Sequence, residues 1–338
     1  MIVAWSAAYF STGLVGSAFG LGACRFFLGL GEGGGFPGSG KAVAEWFPPK
    51  ERSIAFGLFN TGSSLGAVVA PPLVAMIVLH LNWRWTFFIF GSAGFLWTLI
   101  WLKFYYAPAA SPLISASERE YIQYELAAAK PVNIQEPHIR WRDLFRYRET
   151  LGLMAAKFLT DSAWFFFIFW LPKYLSDVRH LDIKAIGYFA WIPYAISGCG
   201  SFLGGAFSAI LIRRGISLSK ARKIALGCAA VLMPASLLIT ASPLNLSIVF
   251  FSLAMFAHQF WSTNIQTVPA DLFPSRIVGS LEGLLGSAGA FGGMLFGQLV
   301  GYLVETGGYT APFFMAGIFH PIAFVIILTT VRRIHRLQ

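Results

Sequence analysis

The sequence predicts an all-α membrane protein, and three observations carry that expectation. Of its 338 residues, 56% are apolar and only 12% charged, and the mean hydropathy is +0.65. That is more apolar surface than one soluble core can hide. The charged residues are confined to short intervals between apolar runs, whereas a soluble chain would spread them throughout. The runs recur at close to the twenty residues that a helix needs to cross about 30 Å of hydrocarbon.

Windows of about twenty apolar residues place ten spans, at 2–19, 21–46, 53–79, 85–106, 150–175, 185–212, 221–241, 245–269, 277–304 and 311–331. The first run lacks a basic lead-in and passes straight into the second, so it reads as a span, not as a cleavable signal peptide. Between the fourth and fifth spans lies a polar segment, 107–149, with Pro108, Pro112, Pro131 and Pro137. It holds an amphipathic stretch at 117–130, for which Ser117 and Glu120 form a capping box. The organisation is therefore an incomplete four-helix N-terminal bundle at 1–106, a loop at 107–149 and a six-helix C-terminal bundle at 150–338.

Loops assigned to alternate sides sort the positive charge. Lys50, Arg52, the 107–149 loop, the 213–223 cluster, Arg276, Arg332, Arg333 and Arg336 share one face, which holds 17 of the 25 Lys and Arg. The other face carries Arg84, Lys173, Arg179 and Lys184, and four more lie inside spans. The positive-inside rule puts the first face, Met1 and the C-terminus in the cytoplasm.

Several classes are disfavoured. The net charge of +10 sorts by loop and forms no basic run with interleaved aromatics, so no nucleic-acid partner is expected. Cys24, Cys199 and Cys228 lie in apolar segments and show no CxxC or Cys/His spacing. No disulfide framework, metal site or cofactor follows, and the three read as small core residues. A membrane-embedded enzyme would need a catalytic constellation, and no GxSxG, HExxH or Walker pattern is present. A sensor or structural protein acting through the 107–149 loop is the remaining rival to a transporter.

The motifs favour transport of an anion. Arg25 and Glu32 are seven residues apart, two turns on one helical face and roughly 10 Å along the axis. Ionisable groups in a span are costly unless they face water or a partner, so Arg25 reads as an anion-binding residue and Glu32 as a protonatable one. A structural pairing with another helix is the bland alternative. Gly29, Gly31, Gly33, Gly34 and Gly35 favour close packing or local unwinding. Asn60 and Ser64, one turn apart, offer a hydrogen-bonding face to a polar solute, or interhelical contacts. Lys157 and Asp161, at i,i+4, read first as an ion pair that neutralises itself. Trp164, Phe165 and Phe169 continue that face, and Trp170 to Tyr174 mark the outer interface. In the eighth span His258, Trp261 and Ser262 share a face while Asn264 lies on another; so polar a span suits a wet path or a ligand, and a satisfied core histidine is the alternative. Glu282 is placed near the cytoplasmic interface.

On these residues the chain resembles the major facilitator superfamily, and within it the anion:cation symporters of the hexuronate branch. The Arg25-x3-Gly29-x-Gly31-x-Gly33 pattern is similar to the superfamily's fourth-helix motif. Lys41-Ala-Val-Ala-Glu45-Trp46-Phe47-Pro48, Lys157-Phe-Leu-Thr-Asp161, Phe169-Trp170-Leu-Pro172-Lys173-Tyr174, the loop from Ile212-Arg213-Arg214-Gly215 to Ala221-Arg222-Lys223, and His258-Gln259-x-Trp261-Ser262-x-Asn264 look like phrases of that branch. The resemblance implies a twelve-helix fold of two bundles around a cavity that opens alternately to each side. It also implies a monomer in the bacterial inner membrane that takes up a sugar acid, such as galacturonate or glucuronate, together with a proton. By position Arg25 and Glu32 match a family arginine and a coupling acid, while Asn60, Trp261 and Ser262 fall in cavity-lining helices. The first span matches the family's third, so the resemblance implies a shortened form without the first two helices, their substrate-binding arginine and their gating loop. Aldarate, galactonate or aromatic-acid transport, or a non-transporting remnant, are the alternatives it leaves.

Overall fold

In the computed structural model, which describes residues 1–47, 52–128, 141–273, 275–332 and 334, every regular element is a helix. Contacts divide the chain into two units, one of Met1–Phe59 with Pro72–Ile134 and one of Asn60–Pro71 with Gln135–Gln338.

The first unit is built from α1 (Ile2–Thr12), α2 (Ala18–Glu32), α3 (Gly35–Trp46), much of α4 (Arg52–His80), α5 (Trp83–Phe104) and the amphipathic α6 (Ala116–Ala128). α1 packs between α2 and α5, and small residues let it in. A Cβ on Gly31 would strike the Trp5 backbone, one on Gly91 would meet Phe10, and one on Gly94 would fall on the Ser6 hydroxyl. Ser17 caps α2 by accepting from the Gly20 N–H, and Asn82 caps α5 by accepting from the Arg84 N–H at 2.9 Å. At the other end of α5, Tyr105 donates to Glu45 at 3.2 Å and the Trp46 indole donates to the Tyr106 carbonyl at 3.1 Å, tying α3 to α5.

The second unit runs α7 (Arg148–Asp177), α8 (Ile183–Arg213), α9 (Leu218–Leu232) with a 3-10 turn to Leu238, α10 (Leu244–Ile265), α11 (Val268–Leu272), α12 (Ser275–Gly307) and α13 (Thr310–Thr330). Two glycine seams hold it. Gly200 and Gly204 of α8 lie against the backbone at Phe256 and Phe260 of α10, and Gly289, Gly292 and Gly293 of α12 lie against Asp161, Phe158 and Phe165 of α7. Such close backbone approach is how helices associate where lipid is as apolar as they are. One core gathers Phe166, Phe167, Phe251 and Phe313, and another Leu153, Trp261, Phe273 and Ile327. Gly215, at φ 83°, ends α8 in a left-handed turn in which the Ile216 N–H reaches the Leu211 carbonyl.

At one end of this unit the Arg179 guanidinium donates to the Tyr174 hydroxyl, the Ile239 and Ser242 carbonyls and the Ser247 hydroxyl, at 2.6–3.1 Å. Beside it Tyr309 donates to Asp177 at 2.9 Å, and burial, then that carboxylate, hold the Tyr309 phenol above its usual range. At the other end Arg222 pairs with Asp271 at 3.2 Å and donates to Ser208 at 2.9 Å.

Three expectations need correction. Among the described residues seven helices are long and apolar enough to cross a membrane, the first being Trp83–Phe104, and two of the expected spans are interrupted. The span expected at 2–19 is an 11-residue helix that stops before Gly13, and the one expected at 21–46 breaks into α2 and α3 at Gly33 and Gly34. The span expected at 53–79 falls on α4, a single helix of 29 residues at Arg52–His80. The cap of α6 is Ser115, which accepts from the Glu118 N–H at 3.1 Å, two residues before the Ser117 expected to cap it. Of the cysteines only Cys24 is buried; Cys199 and Cys228 are exposed on the outer faces of their helices, where lipid is a suitable neighbour for a weakly polar thiol.

Candidate functional site

In the first unit the sequence-predicted pair lies on α2. Arg25 and Glu32 are both exposed, and the Arg25 guanidinium stands 5.6 Å from the centre of the Phe87 ring on α5, a cation–π distance. Glu32 lines a cavity of about 180 Å³ with Trp5, Ser6, Tyr9, Phe90 and Gly94. Tyr9 is the residue that sequence reasoning missed. It comes from α1, meets Phe87 at a tilt with ring centres 5.0 Å apart, and lies within electrostatic reach of both Arg25 and Glu32. Its signal was weak, a lone tyrosine in an apolar run. The side chains of Asn60 and Ser64, both on α4, lie outside the described residues.

The second unit holds the other predicted residues. Lys157 Nζ sits 2.7 Å from Asp161 Oδ2, with both side chains largely buried. His258, fully within α10, lies flat against Trp164 of α7, with ring centres 4.7 Å apart at 9°. Its Nδ1 meets Nε2 of His320, from α13, at 3.2 Å. One nitrogen must donate and the other accept, so at least one of these rings is neutral. Trp261 packs edge-on to His320 at 5.5 Å. The indole Nε1 of Trp261 and Nδ1 of His320 are buried without a hydrogen-bond partner. In hydrocarbon such groups call for water or a ligand.

Ser262 accepts from the Gln266 amide at 3.1 Å, whereas Asn264 donates to the carbonyls of Gly204 and Phe260 at 3.0 and 2.9 Å. Asn264 therefore fastens α10 to α8 and is set apart from the His258 and Trp261 face. His320 was missed because one histidine before Pro321, in an apolar run, carries no local sign of a partner 62 positions away.

Chemically, the first unit carries a cation and an acid two turns apart on one helix and the second an ion pair of the two, each with aromatic rings close by. That is a donor set for a carboxylate bearing hydroxyls, and proton transfer to the acids would alter its charge balance.

Residues 1–256 match the model of the Major Facilitator Superfamily. The chain is 33% identical over 339 residues to the hexuronate transporter of Escherichia coli K12, covering 98% of this chain and 77% of that one. It is 30% identical over 326 residues to the D-galactonate transporter of Escherichia coli O6:H1, covering 91% and 73%. Among solved structures it is similar to a bacterial homologue of the human lysosomal transporter Spinster, in an inward-facing and occupied conformation. The TM-score is 0.64 at 17% identity, covering 98% of this chain and 81% of the other. These relatives are transporters, not enzymes. A multi-pass helical membrane protein whose sequence matches that profile over three quarters of its length belongs to the major facilitator superfamily.

Proposed function

We propose that the chain carries a sugar-acid anion of the hexuronate type into the cell together with a proton, by alternating access. The observation that carries this is the 33% identity to a hexuronate transporter across 98% of the chain, where Arg25 and Glu32 supply the charge chemistry that such a solute requires. Arg25, Asn60, Ser64, His258, Trp261 and Ser262 are assigned to the substrate, and Glu32 to the proton. The bundles are taken as 1–106 and 150–338, four plus six helices, joined by the 107–149 loop. The chain acts as a monomer in the bacterial inner membrane with its C-terminus in the cytoplasm, as the charge bias of 17 against four supports.

An entering anion must shed water and work against an inside-negative potential, and a proton that travels with it offsets both costs. With Glu32 ionised, its charge acts on Arg25 across two helical turns. Protonation of Glu32 leaves Arg25 free for the carboxylate of the solute. The D-galactonate relative favours one second reading, in which the solute is an aldonate.

The test is uptake of labelled galacturonate by cells or vesicles holding the full chain. Glu32→Gln should sharply reduce accumulation driven by a pH gradient, yet keep exchange of internal for external galacturonate. Unchanged gradient-driven accumulation in that variant sinks the role of Glu32. Uptake of galactonate with none of galacturonate moves the assignment to the aldonate.

A further inference from the structure

α7 and α12 run in parallel, and glycine sets their register. Gly289 faces Asp161 and Gly293 faces the Phe165 ring, four residues on along both helices, while Gly292 packs on the Phe158 carbonyl and the Ser162 hydroxyl between them. Glu282 lies seven residues before Gly289, two turns along the same face. It lies within electrostatic reach of both Lys157 and Asp161. Lys157 and Asp161 are closed on one another at 2.7 Å, with side chains only 12% and 16% exposed.

The other helices packed on α7 bring further titratable groups. His258 of α10 is in reach of Lys157 and bonds to His320 of α13. Tyr194 of α8 is occupied in donating to the Ile168 carbonyl further along. The 3-10 turn at Trp141–Arg146 carries Arg142, Asp143 and Arg146, of which the last two face each other at 3.8 Å.

Lys157 is thus paired with one carboxylate, Asp161, and within electrostatic reach of a second, Glu282. With both acids ionised the trio carries one net negative charge and repels an arriving anion, and each proton taken up removes one unit of that repulsion. When Asp161 is protonated, the Lys157 ammonium loses its ionic partner and can pair with a carboxylate from outside. Around the same rings the Trp261 Nε1 and His320 Nδ1 atoms are buried and unpartnered, which is where hydroxyls of a polyol would be held.

We infer that Lys157 is a carboxylate anchor in the second unit, opened by a proton that Asp161 and Glu282 take up as the anion binds. This rests on the sugar-acid reading above and adds a protonation step distinct from Glu32.

The test uses the purified full chain in detergent with galacturonate as probe, followed by tryptophan fluorescence from acid to neutral pH. It is done in the Glu32→Gln background, so that the pH dependence left belongs to the Lys157 trio. Binding should remain tighter in acid there, and adding Glu282→Gln and Asp161→Asn should flatten that dependence. Lys157→Ala with Asp161→Ala, made together with Glu282→Gln so that no lone carboxylate is left, should fold, as judged by gel filtration, and bind about tenfold or more weakly. Lys157→Arg should keep most of the affinity. If this combined variant does not fold, Glu282→Gln and Lys157→Arg decide alone. Wild-type affinity in the combined variant, or an undiminished pH dependence with Glu282→Gln, overturns this inference and leaves the sugar-acid reading standing. No galacturonate binding by the wild-type chain overturns that reading and the anchor with it.

Discussion

Arg179 shows how much one side chain can carry at the end of a bundle. Its guanidinium holds the turn after α9 and the start of α10 to Tyr174 through two carbonyls and two hydroxyls. Hydrogen bonds to a charged donor are worth about 1.5–3 kcal/mol each when both partners are otherwise satisfied. Tyr174 still reaches the Ile239 carbonyl without it, so part of the network survives its loss. Arg179→Ala should therefore lower stability by about 2–3 kcal/mol, and Arg179→Lys should recover little, because an ammonium cannot present a planar fork. Thermal unfolding in detergent checks both, and a lysine variant as stable as the wild type would refute the fork argument. In the sequence Arg179 was legible only as one of four charges on the outer face. Arg25 with Glu32 and Lys157 with Asp161 were legible because helical spacing is local, and a seven- or four-residue interval fixes a shared face. The partners supplied by tertiary packing, Tyr9 for the first pair and Glu282 for the second, were not, since nothing in the chain's local pattern brings α1 to α2 or α12 to α7.

Among elements, the seam between α8 and α10 is the most exacting. Gly200 and Gly204 are four residues apart, and an added Cβ at either would meet main-chain atoms of α10, which cannot turn aside as a side chain could. Gly204→Leu should part the two helices and break the Asn264 bond to the Gly204 carbonyl. Overpacking typically costs about 1–3 kcal/mol, and the lost bond adds about 0.6 kcal/mol by the average for interhelical bonds in membranes. Gly297→Leu and Gly301→Leu on α12, whose Cβ positions are open, should leave the melting temperature close to wild type. Equal losses at all these positions would mean that backbone freedom, not close packing, explains the glycines. The sequence made most long spans legible, because twenty apolar residues announce a crossing wherever they stand. It misled at 2–19 and 21–46, where hydropathy counts apolar glycine as a span former while Gly13, Gly33 and Gly34 interrupt the helix.

For the whole molecule, the number of protons carried with each anion decides which force drives uptake. A monoanion entering with one proton moves no net charge, and the membrane potential is then without effect on its accumulation. If Glu32 and the Asp161–Glu282 pair each take a proton, one positive charge enters per turnover. An inside-negative potential of about 100 mV then contributes about 2.3 kcal/mol, close to a fiftyfold gain in accumulation. Vesicles holding the full chain, given a potassium diffusion gradient and no pH gradient, should accordingly concentrate galacturonate. Glu282→Gln should remove that response while leaving accumulation driven by pH, because the proton assigned to Glu32 still travels with the anion. Uptake that ignores the potential in the wild-type chain limits the count to one proton and confines coupling to a single unit. A potential response that survives in Glu282→Gln but disappears in Asp161→Asn would instead place the second proton on Asp161 alone, with Glu282 serving only as a second negative charge within reach of Lys157.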